Sequence, residues 1–315
     1  MATRPHRIGV VLNANAGGFR RNPARVEALR SALGARGNFA ATRSPDELAD
    51  AARAFERDGV TVLAIAGGDG SASVTLSTFA QTLGEDALPP VALLRGGTMN
   101  TVANGLGLPR GRPPKMLAAL LRRLDDGAPL TAHRHSTLRV GDRFGFLFGT
   151  GVVSGFLREY YAGGDPTPVH AASVLARGVA SAVVGGPMIR RLAAPCRAAV
   201  RFDDGEAWPV RDYLTVAAGT VDQIGLGFRP FLRCAERDGA FLLLGIHATA
   251  LGFALELPRV RLARPMRPGR AFEKVTSHAT ITFEGGSGHY MLDGELFETT
   301  APLTLRAGPA VSIVR

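Results

Sequence analysis

Thr61 to Phe79 reads TVLAIAGGDGSASVTLSTF, and the organisation of the chain follows from it. Thr61 to Ala66 is apolar or β-branched without a turn former, the pattern of a strand buried in a parallel sheet. Gly67-Gly68-Asp69-Gly70-Ser71 comes next. Ser71 to Leu83 then reads as a helix, with Val74, Phe79 and Leu83 as candidates for its buried side. A strand, a glycine turn and a helix start together suit a phosphate. Glycine lets backbone N–H groups approach an anion closely, and a helix N-terminus adds partial positive charge. Asp69 would repel such a ligand unless a divalent cation stood between the two. A tight turn with no ligand is the competing reading.

A second loop of the same kind follows. Val91 to Leu94 is a short apolar strand, and Arg95-Gly96-Gly97-Thr98-Met99-Asn100 comes after it. Two glycine loops behind two strands of one α/β unit meet at the C-terminal edge of a parallel sheet, where such folds bind ligands. Working backward, Ile8 to Leu12 is a first strand, and Asn13-Ala14-Asn15-Ala16-Gly17-Gly18 is a third glycine-bearing loop. Asn22-Pro23 reads as a cap and first helical residue. Phe39 to Thr42 is a strand, and Ser44 with Glu47 forms a capping box. Working forward, Leu106 to Pro114 is a loop and Pro114 to Leu124 a helix, and Asp125 to Pro129 breaks the pattern.

The order GGDGS (67–71) then GGTMN (96–100) resembles the diacylglycerol kinase catalytic family, which includes bacterial soluble lipid kinases and the sphingosine and ceramide kinases. The resemblance implies a kinase that moves the γ-phosphate of ATP, with Mg²⁺, to the hydroxyl of a lipid alcohol such as diacylglycerol or a sphingoid or ceramide-type lipid. It implies nucleotide contacts from Asn13, Thr42, Gly67, Gly68, Gly70, Ser71, Gly97, Thr98 and Asn100, and an Mg²⁺-organising catalytic role for Asp69. Asp293, in the segment Leu292-Asp293-Gly294-Glu295, takes the place of the family's general base. Glu295 and Asp238 take the places of carboxylates at a structural magnesium. From the residues alone, Asp293-Gly294 is also a good two-residue hairpin turn and Asp238-Gly239 an ordinary turn. Three departures from the family pattern stand out: Ala14 in place of proline, Ser71 in place of threonine, and Thr101 where many members have aspartate. An NAD kinase shares the GGDG loop but not the second one. A catalytically silent lipid- or nucleotide-binding protein remains a further alternative.

The chain has 315 residues, enough for two domains. The expected division is 1–130, an α/β nucleotide-binding domain with a parallel sheet, and 131–315, a β-rich lipid-substrate domain built as an antiparallel sandwich, with the last strand free to return to the first. In the second part Ser136–Val140 with Arg143–Phe148, and Arg197–Phe202 with Glu206–Val210, read as hairpins. Tyr213–Ala218, Phe241–Ile246, Val275–Phe283 and Tyr290–Leu292 read as strands. Helical stretches at Val169–Leu192 and Leu251–Val260 are apolar enough to be core or to line a cleft for an acyl chain. With 46% hydrophobic and 20% charged residues the composition is globular. Cys196 and Cys234 form no zinc or disulfide framework, which favours the cytoplasm. The start of the chain reads as a strand rather than a leader. The longest apolar run, Ala240–Leu255, is shorter than a membrane span.

Net charge is +10, carried by arginine with only Lys115 and Lys274 as lysines. It favours polyanionic partners. No nucleic-acid motif is visible, so an anionic membrane, contacted peripherally, is the expected partner. Arg259, Arg261, Arg264, Arg267 and Arg270 beside Leu251–Leu257 fit that expectation. A homodimer is compatible with the sequence.

Overall fold

The computed structural model describes residues 6–163, 167–194 and 196–315. The chain divides into two compact units: residues up to His135 together with Pro309–Arg315, and Ser136–Gly308.

The first unit contains β1 (Ile8–Asn13), α1 (Gly17–Arg20), α2 (Pro23–Leu33), β2 (Gly37–Thr42), α3 (Pro45–Arg57), β3 (Val62–Gly67), α4 (Asp69–Leu83), β4 (Val91–Arg95), α5 (Thr101–Gly105) and α6 (Pro113–Asp125). β2, β1, β3 and β4 lie side by side, all parallel. Ile313, near the chain's end, pairs with Val91 in the same direction. Every residue of β3 is buried, as its unbroken apolar sequence requires. α3 shows why a sheet-covering helix forms here. Leu48, Ala51, Ala52 and Phe55 recur at helical spacing on its buried side. Ser44 Oγ accepts from Glu47 N at 3.2 Å. The reciprocal arm of that box reaches Arg43 N at 2.7 Å rather than the cap's own N–H.

Two local expectations need correction in this unit. Asn22 precedes α2 but makes no side-chain capping bond; Pro23, whose missing N–H costs nothing there, starts the helix instead. Val74 on α4 is 40% exposed, and the buried surface of that helix is carried by Ala72, Ser73, Thr75, Leu76, Ser77, Thr78, Phe79 and Ala80. The sequence hides this because small hydroxyl residues do not look like core. Ser77 Oγ is satisfied by donating to the Ser73 carbonyl at 2.8 Å.

The second unit is built on β5 (Ala132–Val140), β6 (Arg143–Gly145), β7 (Leu147–Thr150), α7 (Val152–Ala162), α8 (Pro168–Val184), α9 (Pro187–Leu192), β8 (Cys196–Phe202), β9 (Ala207–Tyr213), β10 (Thr215–Gly219), β11 (Phe241–Ile246), α10 (Ala250–Ala254), α11 (Leu257–Arg261), β12 (Ala271–Thr276), β13 (His278–Phe283), β14 (Gly288–Leu292), β15 (Glu295–Thr299) and β16 (Leu303–Val314). The N-terminal part of β5 and the C-terminal part of β16 fall in the first unit. One antiparallel sheet runs β12-β11-β10-β7-β14-β15. A second pairs β16 with β13, β13 with β8 and β8 with β9. A single core takes Leu138, Val200, Tyr213, Ala279, Ile281 and Leu305 together with Phe148, Val216, Phe241 and Leu243, so both sheets share it and the unit is an antiparallel sandwich.

The expected strand Val275–Phe283 is two strands, one in each sheet, broken at Ser277. The expected strand Arg143–Phe148 divides in the same way, between β6 and β7. A sandwich turns such corners when a strand changes sheets, and the alternation of side chains carries no sign of it. In α8, Val174 is buried, whereas Val183 and Val184 at its end are exposed, against their expected place in a core or cleft.

Candidate functional site

In the first unit the loops after β1, β3 and β4 lie on neighbouring strands at one edge of the parallel sheet. The middle loop is tighter than its sequence suggests. β3 runs through Gly67, Gly68 is the helix cap, and α4 begins at Asp69, two residues before the expected start. The loop after β4 is closed by Asn100. Its backbone is left-handed, φ 47°, a conformation asparagine tolerates. Its Oδ1 accepts from Gly97 N at 3.1 Å and its Nδ2 donates to Gly97 O at 2.7 Å.

The two glycine loops are packed backbone against backbone. Gly96 N donates to Gly67 O at 2.9 Å. A Cβ on Gly97 would lie 2.3 Å from Gly68 Cα, a distance no side chain can accept. The glycines are therefore required by loop-on-loop contact, whatever they also offer a ligand. The first loop is tied in by Asn13, whose Nδ2 donates to Ser71 Oγ at 3.1 Å while its Oδ1 accepts from Asn15 N at 2.9 Å. Thr42 stands opposite Asn13 in the β1–β2 register, and its carbonyl accepts from Ala14 N. Its side chain is buried. Gly70 lies in the first turn of α4, and Thr98 is exposed.

Asp69 does not hang free as a metal ligand. Oδ2 accepts from Thr101 N at 2.8 Å and Oδ1 from Val102 N at 3.0 Å, so the carboxylate caps the start of α5. Burial pushes its pKa up, and these two N–H groups and the nearby positive charge of Arg95 act against that. Arg95 grips the other end of the same helix. It donates to Asn104 Oδ1 at 2.6 Å and to the carbonyls of Ala103, Leu108 and Pro109 at 3.1, 2.6 and 2.8 Å. Burial lowers the Arg95 pKa, as does Arg110, and Asp69 opposes them. Neither α5 nor the grip of Arg95 on it is evident in the local sequence. Asn104, four residues after Asn100, was the available signal, since a short polar helix after a glycine loop needs partners at both ends. The space left among Gly67, Gly68, Asp69, Arg95, Asn100 and Val102 is only about 10 Å³. A ligand of these loops would lie on their outer surface.

In the second unit Asp293-Gly294 joins β14 and β15 with Leu292 opposite Glu295. φ is 47° at Asp293 and 92° at Gly294, the left-handed pair of a type I′ turn. Asp293 is 3% exposed. Its carboxylate accepts from Phe146 N, at 2.9 and 3.1 Å to the two oxygens, and from Leu147 N at 2.9 Å. Tyr161 Oη donates to the Gly294 carbonyl at 3.0 Å.

Glu295 and Asp238 are both exposed, and the structure does not bring them together. Glu295 opens β15 and Asp238 precedes β11. β14, β7 and β10 lie between those strands, a separation of roughly 20 Å at the usual strand spacing. No cluster of three or more histidine, cysteine or acidic side chains suited to a metal occurs among the described residues. The donor set therefore does not fit the structural magnesium implied by the resemblance, and the Asp69 carboxylate is turned toward the α5 amides. A depression of about 530 Å³ also lies in this unit, lined by Trp208, Arg233, Glu236, Glu273 and Lys274 among others. Its charges are largely paired with one another or with the β8–β9 turn: Arg233 with Glu236 and Glu273, Lys274 with Asp204 and Glu206.

The loop arrangement agrees with two comparisons. Residues 7–130 match the family model of the diacylglycerol kinase catalytic domain. The match covers most of the first unit, and it agrees with the resemblance carried by GGDGS and GGTMN. The whole chain shares its fold with a diacylglycerol kinase from Bacillus anthracis, at 14% identity and TM-score 0.64, covering 99% of this chain and 97% of that one. A second Bacillus anthracis structure, described as a candidate diacylglycerol kinase, aligns at 16% identity and TM-score 0.69, covering 99% and 98%. No curated protein matches the chain.

Proposed function

We propose that the chain is an ATP-dependent lipid kinase that transfers the γ-phosphate of ATP, supplied as its magnesium complex, to the hydroxyl of a lipid alcohol. The observation that carries this is the pair of glycine loops locked together beside the N-terminus of α4, within a segment that matches a kinase catalytic domain. The first N–H groups of α4 have no partner inside the helix and suit a phosphate. Gly67, Gly68, Gly70 and Gly97 supply the close backbone, and Ser71, Thr98, Asn13, Thr42 and Asn100 supply or orient polar contacts. Asp69 acts here by holding α5 and the second loop in place.

Phosphoryl transfer asks little covalent chemistry of a protein. It does ask that the acceptor hydroxyl lose a proton. We assign that step to Asp293. Its turn and its two backbone donors hold the carboxylate in one orientation, which a general base requires.

The test is transfer of radiolabelled phosphate from ATP to a panel of lipid alcohols in mixed micelles, with NAD as a control acceptor. Label in one or more lipids and none in NAD is expected. Label in NAD alone, or in no acceptor, overturns the reading.

A further inference from the structure

Leu255 and Glu256 are adjacent and inverted. The leucine is 60% exposed and the glutamate 0%. The usual preference runs the other way. The inversion belongs to a whole segment. Gly252, Glu256 and Val260 form a buried stripe at spacings of four, while Leu251, Leu255 and Leu262 face outward. Phe253 and Met266 pack on the small cluster of Leu214, Ile246 and Ala248, so the inward side is already filled.

Glu256 organises the basic residues. Its carboxylate accepts from Arg267 Nη1 at 2.8 Å and from Arg267 N at 3.2 Å, and Arg259 Nε lies 3.6 Å away. Arg259 also donates to the Pro265 carbonyl. Two of the five arginines are thus fastened to the buried Glu256. Arg261 reaches only the Gly227 carbonyl, and neither it nor Arg264 has a carboxylate partner among the described residues.

We propose that this face, Leu251, Leu255 and Leu262 with Arg261 and Arg264, docks on an anionic lipid bilayer. Leucines that cannot turn inward gain by entering the acyl boundary, and unneutralised guanidinium groups beside them meet lipid phosphate. A nucleic acid would gain from stacking aromatics, and the outward side chains here are aliphatic. No helix among the described residues is long and apolar enough to cross a membrane, so this is surface contact. The proposal is independent of the kinase reading and is tested without nucleotide.

The experiment is flotation of the full chain with phosphatidylcholine vesicles, with and without phosphatidylglycerol. Binding that needs the anionic lipid and falls with added salt is expected. Leu255→Gln with Leu262→Gln should weaken it on the order of tenfold per leucine. Arg261→Gln with Arg264→Gln should weaken it roughly fivefold per arginine. Val210→Gln, at an exposed apolar residue on β9, should leave it unchanged. Circular dichroism checks that each variant is folded. Equal binding to neutral vesicles, or loss with Val210→Gln as large as with the leucines, overturns the proposal. So does retention of RNA, or of a second copy of the chain, in place of vesicles through the same residues.

Discussion

Asp69 and Asp293 make an instructive pair. Each carboxylate accepts backbone N–H groups of two consecutive residues, Thr101 and Val102 in one case, Phe146 and Leu147 in the other. Their settings differ. Asp69 opens a helix of its own and caps a second, so its charge sits where helix termini favour it. Asp293 sits in a left-handed turn between two strands, and its oxygens accept from the amides that open β7. Similar bonding therefore serves two ends: the first aspartate fastens one loop to another, and the second is itself held still. A motif names both residues, and only their partners separate a fastening from a candidate base.

The comparison breaks most sharply at Asp293. Asparagine keeps the size and tolerates positive φ but cannot take up the proton. Asp293→Asn should lower kcat by roughly 10²- to 10⁴-fold with ATP affinity intact. Steady-state kinetics with the lipid found in the panel measures it, and wild-type kcat would reduce Asp293 to a turn residue. Next comes Gly97→Ala. The added methyl meets Gly68 Cα, so the loops must separate. A loss of about 1–3 kcal/mol in stability is expected, together with weakened ATP binding. Urea unfolding and calorimetric titration read the two separately, and unchanged ATP affinity would detach the glycine packing from nucleotide binding.

Asp69→Asn sharpens the contrast through pH. Burial raises the Asp69 pKa above the ordinary value of 3.8. The folded state then holds its proton more tightly than the unfolded one. This contribution to stability is present below about pH 3.8 and declines as pH rises through the folded value. The substituted amide cannot titrate, so that decline should disappear from the pH dependence of urea midpoints. At neutral pH the variant loses one acceptor for the α5 amides, worth about 1–2 kcal/mol. The smallest effect is set on the scaffold. Ser44→Ala removes the cap of α3 and should cost about 1 kcal/mol with kcat and ATP affinity unchanged.

Much of the first unit was legible because its signals are local. An unbroken apolar strand, a glycine turn and a capping serine each announce themselves within a few residues. α5 was not legible, because its two fastenings come from Asp69 and Arg95, in other elements. Neither was the burial of Ser73, Thr75 and Ser77 on α4, which depends on what packs around a helix. In the second unit strand positions were readable, but the change of sheet at Ser277 was not, since alternation survives it. The pairing of Asp238 with Glu295 failed for the same reason. Sheet order, which sets their distance, is absent from any segment.

The most direct test of the account is hydrogen–deuterium exchange on the full chain with and without magnesium-ATP. Slowed exchange at the amides of residues 67–71 and 96–102 is expected on adding nucleotide, with that protection lost in Gly97→Ala and kept in Asp293→Asn. Nucleotide binding that leaves those amides unchanged and protects another part of the chain would contradict it.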